Sequence, residues 1–327
     1  MNKRSLFTIT VTLFLFFITL NIPYASAQLT GLGSNEVVIT SNPKYPEPGN
    51  QTTLTVSNGV IDLDRATIIW YQNGVEKTRG IGKKVFTFTA GGAGSETTVR
   101  AVVQSLQGPS FNSEIIIRPA TLDLLWEAET VTPPLYKGKA LPGSESVVRV
   151  VALPRFVYNG SVLNVSDLYY EWRVGSRLLS SSSGKGKNTI IITAPKTYGK
   201  TNITVTVSSA LHSFSAQKTT SIESVPPEVH FYSVSPERGF NVGEALADQL
   251  QVVGDFTIQA IPYYFSKNKT ISFNWTQNGS FIKNQNSRIS FTGGENPSGP
   301  SSIGLSVNGQ GSLLQFAEKS LLITPKQ

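Results

Sequence analysis

The stretch that decides the fold is Ala66-Thr-Ile-Ile-Trp-Tyr-Gln-Asn-Gly-Val-Glu-Lys-Thr78, in which an apolar run ends on a tryptophan and a turn follows at once. Asn73-Gly74 supplies the positive φ that a two-residue hairpin needs. The run before it has strand character, being rich in β-branched residues. Trp70 therefore sits near the end of a strand that feeds a hairpin.

The pattern returns twice. IIWYQNG at 68–74 is followed by YEWRVGS at 170–176 and FNWTQNG at 273–279, so Trp70, Trp172 and Trp275 are spaced by 102 and 103 residues. A fixed period of this size sets the domain count. The flanks repeat as well. After each tryptophan come two alternating runs, KVFTFTA and TTVRAVV, NTIIITA and NITVTVS, RISFTGG and SIGLSVN. Before them lie EVVIT and TTLTVSN, LDLLWEAE and SVVRVVAL, EVHFYSVS and DFTIQAI. SEIIIRP, QKTTSIES and KSLLITP close the three copies. Period-2 alternation marks half-buried strands, and each copy counts about seven of them in roughly 100 residues.

Seven alternating strands with a tryptophan on the third form the pattern of an immunoglobulin-like sandwich. The W-x-x-N-G stretch and the K-x-F-T-F-T strand after it resemble bacterial Ig-like and PKD-like domains of exported surface proteins. The resemblance spans the chain beyond its first segment as three tandem copies. It implies an all-β protein of three tandem β-sandwich domains, and it leaves the activity open, since such modules host many roles. The PKD motif W-x-F-G-D-G is not intact, because Trp70 is followed by Tyr71-Gln72-Asn73-Gly74. The recurrence of Trp70, Trp172 and Trp275 at one strand position predicts three core residues, one per sandwich.

Residues 1–27 read differently. A basic MNKR start, an apolar stretch and Ala25-Ser26-Ala27 have the form of a secretory signal peptide. The expectation is an exported chain at the cell envelope or outside the cell, with an uncleaved anchor as the other reading. Arg118-Pro119-Ala120 and Ser224-Val225-Pro226-Pro227 mark the boundaries, giving domains at 28–119, 120–226 and 227–327. Short proline links permit little swing, so a semi-rigid array is expected.

Composition narrows the function. Charged residues make up 15% and apolar residues 39%, a globular balance. There is no cysteine, so each domain depends on its core and thiolate chemistry is excluded. Net charge is +7, or +5 once Lys3 and Arg4 leave with the first segment. Those charges are scattered, which argues against a nucleic-acid groove.

The search for chemistry returns little. His212 and His230 lack partners at zinc-ligand spacing. No G-x-S-x-G elbow occurs. Gly91-Gly92-Ala93-Gly94 reads as a hairpin loop. Asp62 and Asp64 are too few for a calcium site. Three sandwiches leave no segment for a catalytic domain, so neither an enzyme nor a bound cofactor or metal is expected.

One feature stands apart. VALPRFVYNG (151–160) and QAIPYYFSKN (259–268) occupy the same place in copies two and three, and copy one lacks them. Their residues Arg155, Phe156, Tyr158, Tyr263, Tyr264 and Phe265 are the candidate contacts for an unknown envelope protein or a glycan. The competing reading has the prolines end a strand and the aromatics cover a sheet edge or the neighbouring domain. The functional expectation is a non-catalytic surface spacer, adhesion or envelope-assembly component, with a glycan-binding protein using those loops as the alternative.

Overall fold

The structure is a computed structural model that describes residues 36–325 apart from 107, 135, 197, 211–213, 242 and 293–298. The readings of residues 1–27 and of His212 lie outside the described residues. The described chain is all-β, with two single-turn 3₁₀ helices at Val165–Asp167 and Ser180–Ser182 as its only helical elements.

Each copy builds the same two sheets. In the first, Val38–Asn42, Gln51–Ser57 and Val85–Thr89 pair in that order, and Val75–Ile81, Thr67–Gln72, Thr97–Gln104 and Ser110–Ile117 form the facing sheet. The order of strands is thus first, second, fifth against fourth, third, sixth, seventh. The second copy repeats it with Thr121–Ala128, Val147–Arg155 and Thr189–Thr193 against Arg177–Leu178, Tyr169–Val174, Lys200–Ser209 and Phe214–Glu223. The third repeats it with Glu228–Ser235, Phe256–Tyr263 and Arg288–Phe291 against Ser280–Ile282, Ile271–Gln277, Ser301–Gly309 and Phe316–Pro325. The chain is three tandem immunoglobulin-like β-sandwiches.

The third domain adds a device of its own. Between its first two strands, Gln249–Val252 lies parallel along Leu322–Pro325 and covers that end of the last strand. An uncovered edge is a pairing hazard, and this insertion removes part of it.

The three tryptophans have 0% exposure, and each belongs to a separate core cluster. Their indole hydrogen bonds are equivalent. Trp70 Nε1 donates to the Lys83 carbonyl at 2.8 Å, Trp172 Nε1 to Lys187 at 2.8 Å, and Trp275 Nε1 to Asn286 at 2.9 Å. Each acceptor lies two residues before the fifth strand of its domain. A buried indole N–H needs a partner, and the chain arriving from the opposite sheet supplies it. The tryptophan thereby ties the two sheets together by a hydrogen bond as well as by packing. Trp70 also stacks on Phe86 and Trp275 on Phe231, both at 5.5 Å between centroids.

The hairpins after the tryptophans are equivalent too. Asn73 and Gly74 have φ of 50° and 79°, and Asn278 and Gly279 have 49° and 82°. The Asn73 side chain accepts from Thr98 N–H at 2.9 Å, and Asn278 accepts from Ser302 N–H at 2.8 Å. In the second domain Gly175 takes the positive φ alone, at 59°.

Candidate functional site at the domain joints

The aromatic loops of domains 2 and 3 lie where their domains meet the preceding one. Domain 1 carries no such loop among the described residues.

At the joint between domains 2 and 3, the end of the first strand of domain 2 runs on past Ala128 and pairs across the boundary. Lys267 N–H donates to the Glu129 carbonyl at 3.0 Å, Val131 N–H to Phe265 at 2.7 Å, and Tyr264 N–H to Val131 at 2.9 Å. Thr130 and Ser266 form the antiparallel bridge between these rungs, and both are buried. Val131 packs against the core of domain 3. A strand of one sandwich thus lends a residue to the core of the next.

Gln315 closes the other side. Its side-chain oxygen accepts from Ser266 N–H at 2.8 Å, and its amide nitrogen donates to the Ser144 carbonyl of domain 2. It is 1% exposed, so both bonds are shielded from water and leaving either unmade costs about 1–3 kcal/mol. Ser312 Oγ donates to Glu145 Oε2 at 2.9 Å beside it.

Tyr264 is held at φ 62°, a region that bulky residues rarely adopt. The carbonyl it presents comes so close to Gly143 that a Cβ there would lie 1.9 Å from it. Gly143 is therefore required by the joint. Tyr136 reaches over from domain 2, its hydroxyl 3.3 Å from that of Tyr264 and its ring edge-on to Tyr263 at 6.0 Å. Burial, and then the hydrogen bond with Tyr232, keeps the Tyr263 phenol protonated far above its usual range; burial followed by Tyr136 does the same for Tyr264.

The joint between domains 1 and 2 is lighter. Val157 fits against Gly94, where a Cβ would lie 2.8 Å from Val157 Cγ1. Lys218 pairs with Glu47 at 3.0 Å, both partly exposed. The Arg118 guanidinium lies 6.0 Å from the Phe214 ring and pairs with Glu96 at 2.8 Å. No backbone hydrogen bond crosses this joint among the described residues.

Each sequence-chosen residue can now be placed. Phe156 and Phe265 are 0% exposed and fill the cores of domains 2 and 3. Their selection as partner or glycan contacts is corrected on this point, because no side-chain surface remains for a ligand. Phe156 stacks on Phe214 at 5.7 Å, and Tyr158 meets the same ring edge-on at 6.5 Å. Tyr263 is buried and Tyr264 half-buried, both against the joint. Arg155 is exposed, as is Tyr158 in part, at 39%. Pro154 and Pro262 do not end their strands; each lies in its strand one residue before the last, beyond the reach of the fifth strand, where no rung is lost on that side.

The remaining candidates resolve locally. The fourth tryptophan, Trp126, outside the register of the other three, packs against the core of its own domain, with Lys139 Nζ 3.0 Å from the ring centre. His230 bonds Glu228 at 2.9 Å and stands edge-on to Tyr263 at 4.9 Å. Asp62 and Asp64 are engaged by Arg65 at 3.7 Å and Lys84 at 2.9 Å. Among the described residues no group of three or more His, Asp or Glu side chains could hold a metal ion, and no helix is long and apolar enough to cross a membrane.

Gln315, Ser266, Gly143 and Val131 went unnoticed in the sequence, since none falls in the repeating pattern. The signal for Val131 and Gly143 was the long link 129–146 between the first two strands of domain 2, and Ser266 lay unremarked within QAIPYYFSKN.

Comparison with known proteins gives likenesses only. No family model matches it, and no curated protein matches it in sequence. Among solved structures, it is similar to the three N-terminal domains of the bacteriophage RB49 highly immunogenic outer capsid protein, at 12% identity over 89% of this chain and 98% of that one, with a TM-score of 0.28. It is similar to the central fibronectin-III array of RIM-binding protein, at 12% identity over 90% and 100%, with a TM-score of 0.32. A third is SGBP-B of the Bacteroides ovatus mixed-linkage glucan utilization locus, in complex with a mixed-linkage heptasaccharide, at 12% identity over 90% and 71%, with a TM-score of 0.23. Superposition over the whole length is poor in each case, and the fold assignment rests on strand order.

Proposed function

We propose that this chain is a non-catalytic, exported protein of the bacterial surface type, whose three sandwiches act as a spacer, adhesion or envelope-assembly element. The observation that carries the reading is the joint between domains 2 and 3. Backbone pairing, a shared core residue and the buried Gln315 clamp make two modules hold one relative orientation. Such an investment in orientation suits a protein that works by presenting surface at a distance. The signal-like first segment is consistent with export. The partner is a protein or glycan of the envelope.

The experiment is fractionation of producing cells, with mass mapping of the mature N-terminus. The proposal expects a product beginning at Gln28 in the envelope or medium. An intact chain retained in the cytoplasm overturns it.

A further inference from the structure

The outer face of the second sheet in domain 3 sets an exposed aromatic beside a row of unengaged polar side chains. We propose that it is a binding trough for a neutral polysaccharide. This goes beyond the spacer reading and is independent of it.

The register defines the face. Trp275, Ile303, Leu305 and Val307 point into the core, so their neighbours on each strand point out. Phe281, Thr276, Gly304 and Ser320 lie in one row across four strands, and Asn274, Ser306 and Glu318 in the next. Together they line a cleft of about 440 Å³, within the size range of small-ligand sites. Gly304 forms its floor: a Cβ there would lie 2.5 Å from Thr276 Oγ1.

Three properties select the ligand. First, exposed aromatic rings lie on this face, Phe281 lining the cleft and Phe316 farther along the sheet, outside it. Phe281 is 85% exposed on the fourth strand, and Phe316 is 44% exposed on the seventh. Three strand spacings and four residues separate them, roughly 14 Å across and about 13 Å along the sheet, enough for several linked sugar rings. Second, the polar groups between them are unengaged. Among the described residues, the side chains of Asn274, Thr276, Ser306, Glu318 and Ser320 have no protein partner. An amide, three hydroxyls and a carboxylate offer the donors and acceptors that sugar hydroxyls require. Third, Glu318 is the one charge facing out from those rows, while Lys319 at the rim is held by Asp248. An acidic polymer meets a like charge there, and a neutral polyhydroxylated one does not. Its apolar ring faces lie on Phe281 and Phe316, and its hydroxyls reach the row between.

The corresponding face of domain 2 holds a cleft of similar size, about 450 Å³, lined in part by Tyr169, Glu171, Leu178, Thr206 and Ser208, but ion pairs and ring contacts occupy more of the outward side chains in domains 1 and 2. In domain 1, Arg100 covers Tyr71 with the guanidinium 4.8 Å from the ring centre. In domain 2, Glu171 and Arg173 pair at 2.9 Å, Thr204 bonds Thr219 at 2.8 Å, and Gln217 bonds Thr206 at 2.9 Å.

Affinity gel electrophoresis of the whole chain beyond residue 27 against mixed-linkage β-glucan, xylan, mannan and polygalacturonate tests this. Retardation by at least one of the neutral polymers is expected, weakened about tenfold by Phe281→Ala or Asn274→Ala and unchanged by Tyr198→Ala, which removes an exposed aromatic of domain 2. Circular dichroism of the variants shows that they remain folded. The inference is overturned if no neutral polymer retards the protein, if polygalacturonate alone does, or if folded Phe281→Ala and Asn274→Ala bind as the parent does.

Discussion

Gln315 of domain 3 grips Ser144 of domain 2: its side-chain amide donates to the Ser144 carbonyl while its oxygen accepts from Ser266 N–H at 2.8 Å. One side chain with 1% exposure thus spans two modules. Gln315→Leu keeps the size and removes both bonds, stranding a buried carbonyl and a buried N–H. The expected loss is about 2–4 kcal/mol, read in calorimetry as domain 3 melting apart from domain 2.

Gly143 answers to the same joint. Any side chain there enters the space of the Tyr264 carbonyl, 1.9 Å from the Cβ position. Gly143→Ala is expected to displace Tyr264 from its φ of 62° and open the rungs at Val131. Limited proteolysis checks it, with faster cleavage within 129–146 in the variant than in the parent.

The tryptophans separate packing from hydrogen bonding. Trp172→Phe keeps an aromatic body but leaves the Lys187 carbonyl without its 2.8 Å donor, at a cost of about 1–3 kcal/mol. Trp172→Ala empties the centre of the sandwich, at about 3–5 kcal/mol. Denaturant unfolding is expected to rank the two in that order.

Alkaline pH acts on the tyrosines. Burial pushes the Tyr170 phenol up to about 12, and its hydroxyl donates to the Val165 carbonyl at 3.0 Å. The unfolded chain ionises tyrosine near pH 10. Between those values the unfolded state binds fewer protons than the native one, so stability falls as pH rises. It is fully present below about pH 10 and lost progressively as pH rises through about 12. Tyr263, raised in the same direction, extends the effect to the joint. Phenolate absorbance titration, followed alongside unfolding, is expected to show late-titrating groups that ionise with the loss of structure.

Much of this fold is written in local pattern. Alternation and the Trp–turn unit suffice for three seven-stranded sandwiches, because the inward face of each strand must be apolar and each hairpin must have its positive φ. Other features depend on registry across the chain and leave no local trace. The one-residue shift between Trp70 and Tyr71 against the fourth strand is one. The parallel strand Gln249–Val252 is another, since its short polar–apolar run acquires meaning only beside Leu322–Pro325. The aromatic loops were legible as an anomaly. That Phe156 and Phe265 fill their own cores follows from the sandwich around each, and that the Tyr264 carbonyl meets Gly143 follows from the neighbouring domain, which no local window contains. The trough of domain 3 was illegible for the opposite reason, because Asn274, Ser306 and Glu318 look like ordinary outward positions until the register sets them side by side.

The stiffness of the two joints is the most direct test. The chain has no cysteine, so introduced pairs are the only labelling sites. Spin labels at Ile191→Cys and Val253→Cys report on domains 2 and 3, and labels at Val60→Cys and Ile191→Cys on domains 1 and 2; all three positions are exposed. Pulsed electron–electron double resonance is expected to give a single narrow distance between domains 2 and 3, broadened by Gln315→Leu, and a wider distribution between domains 1 and 2. A distribution between domains 2 and 3 as broad as the other, and insensitive to Gln315→Leu, would contradict the account.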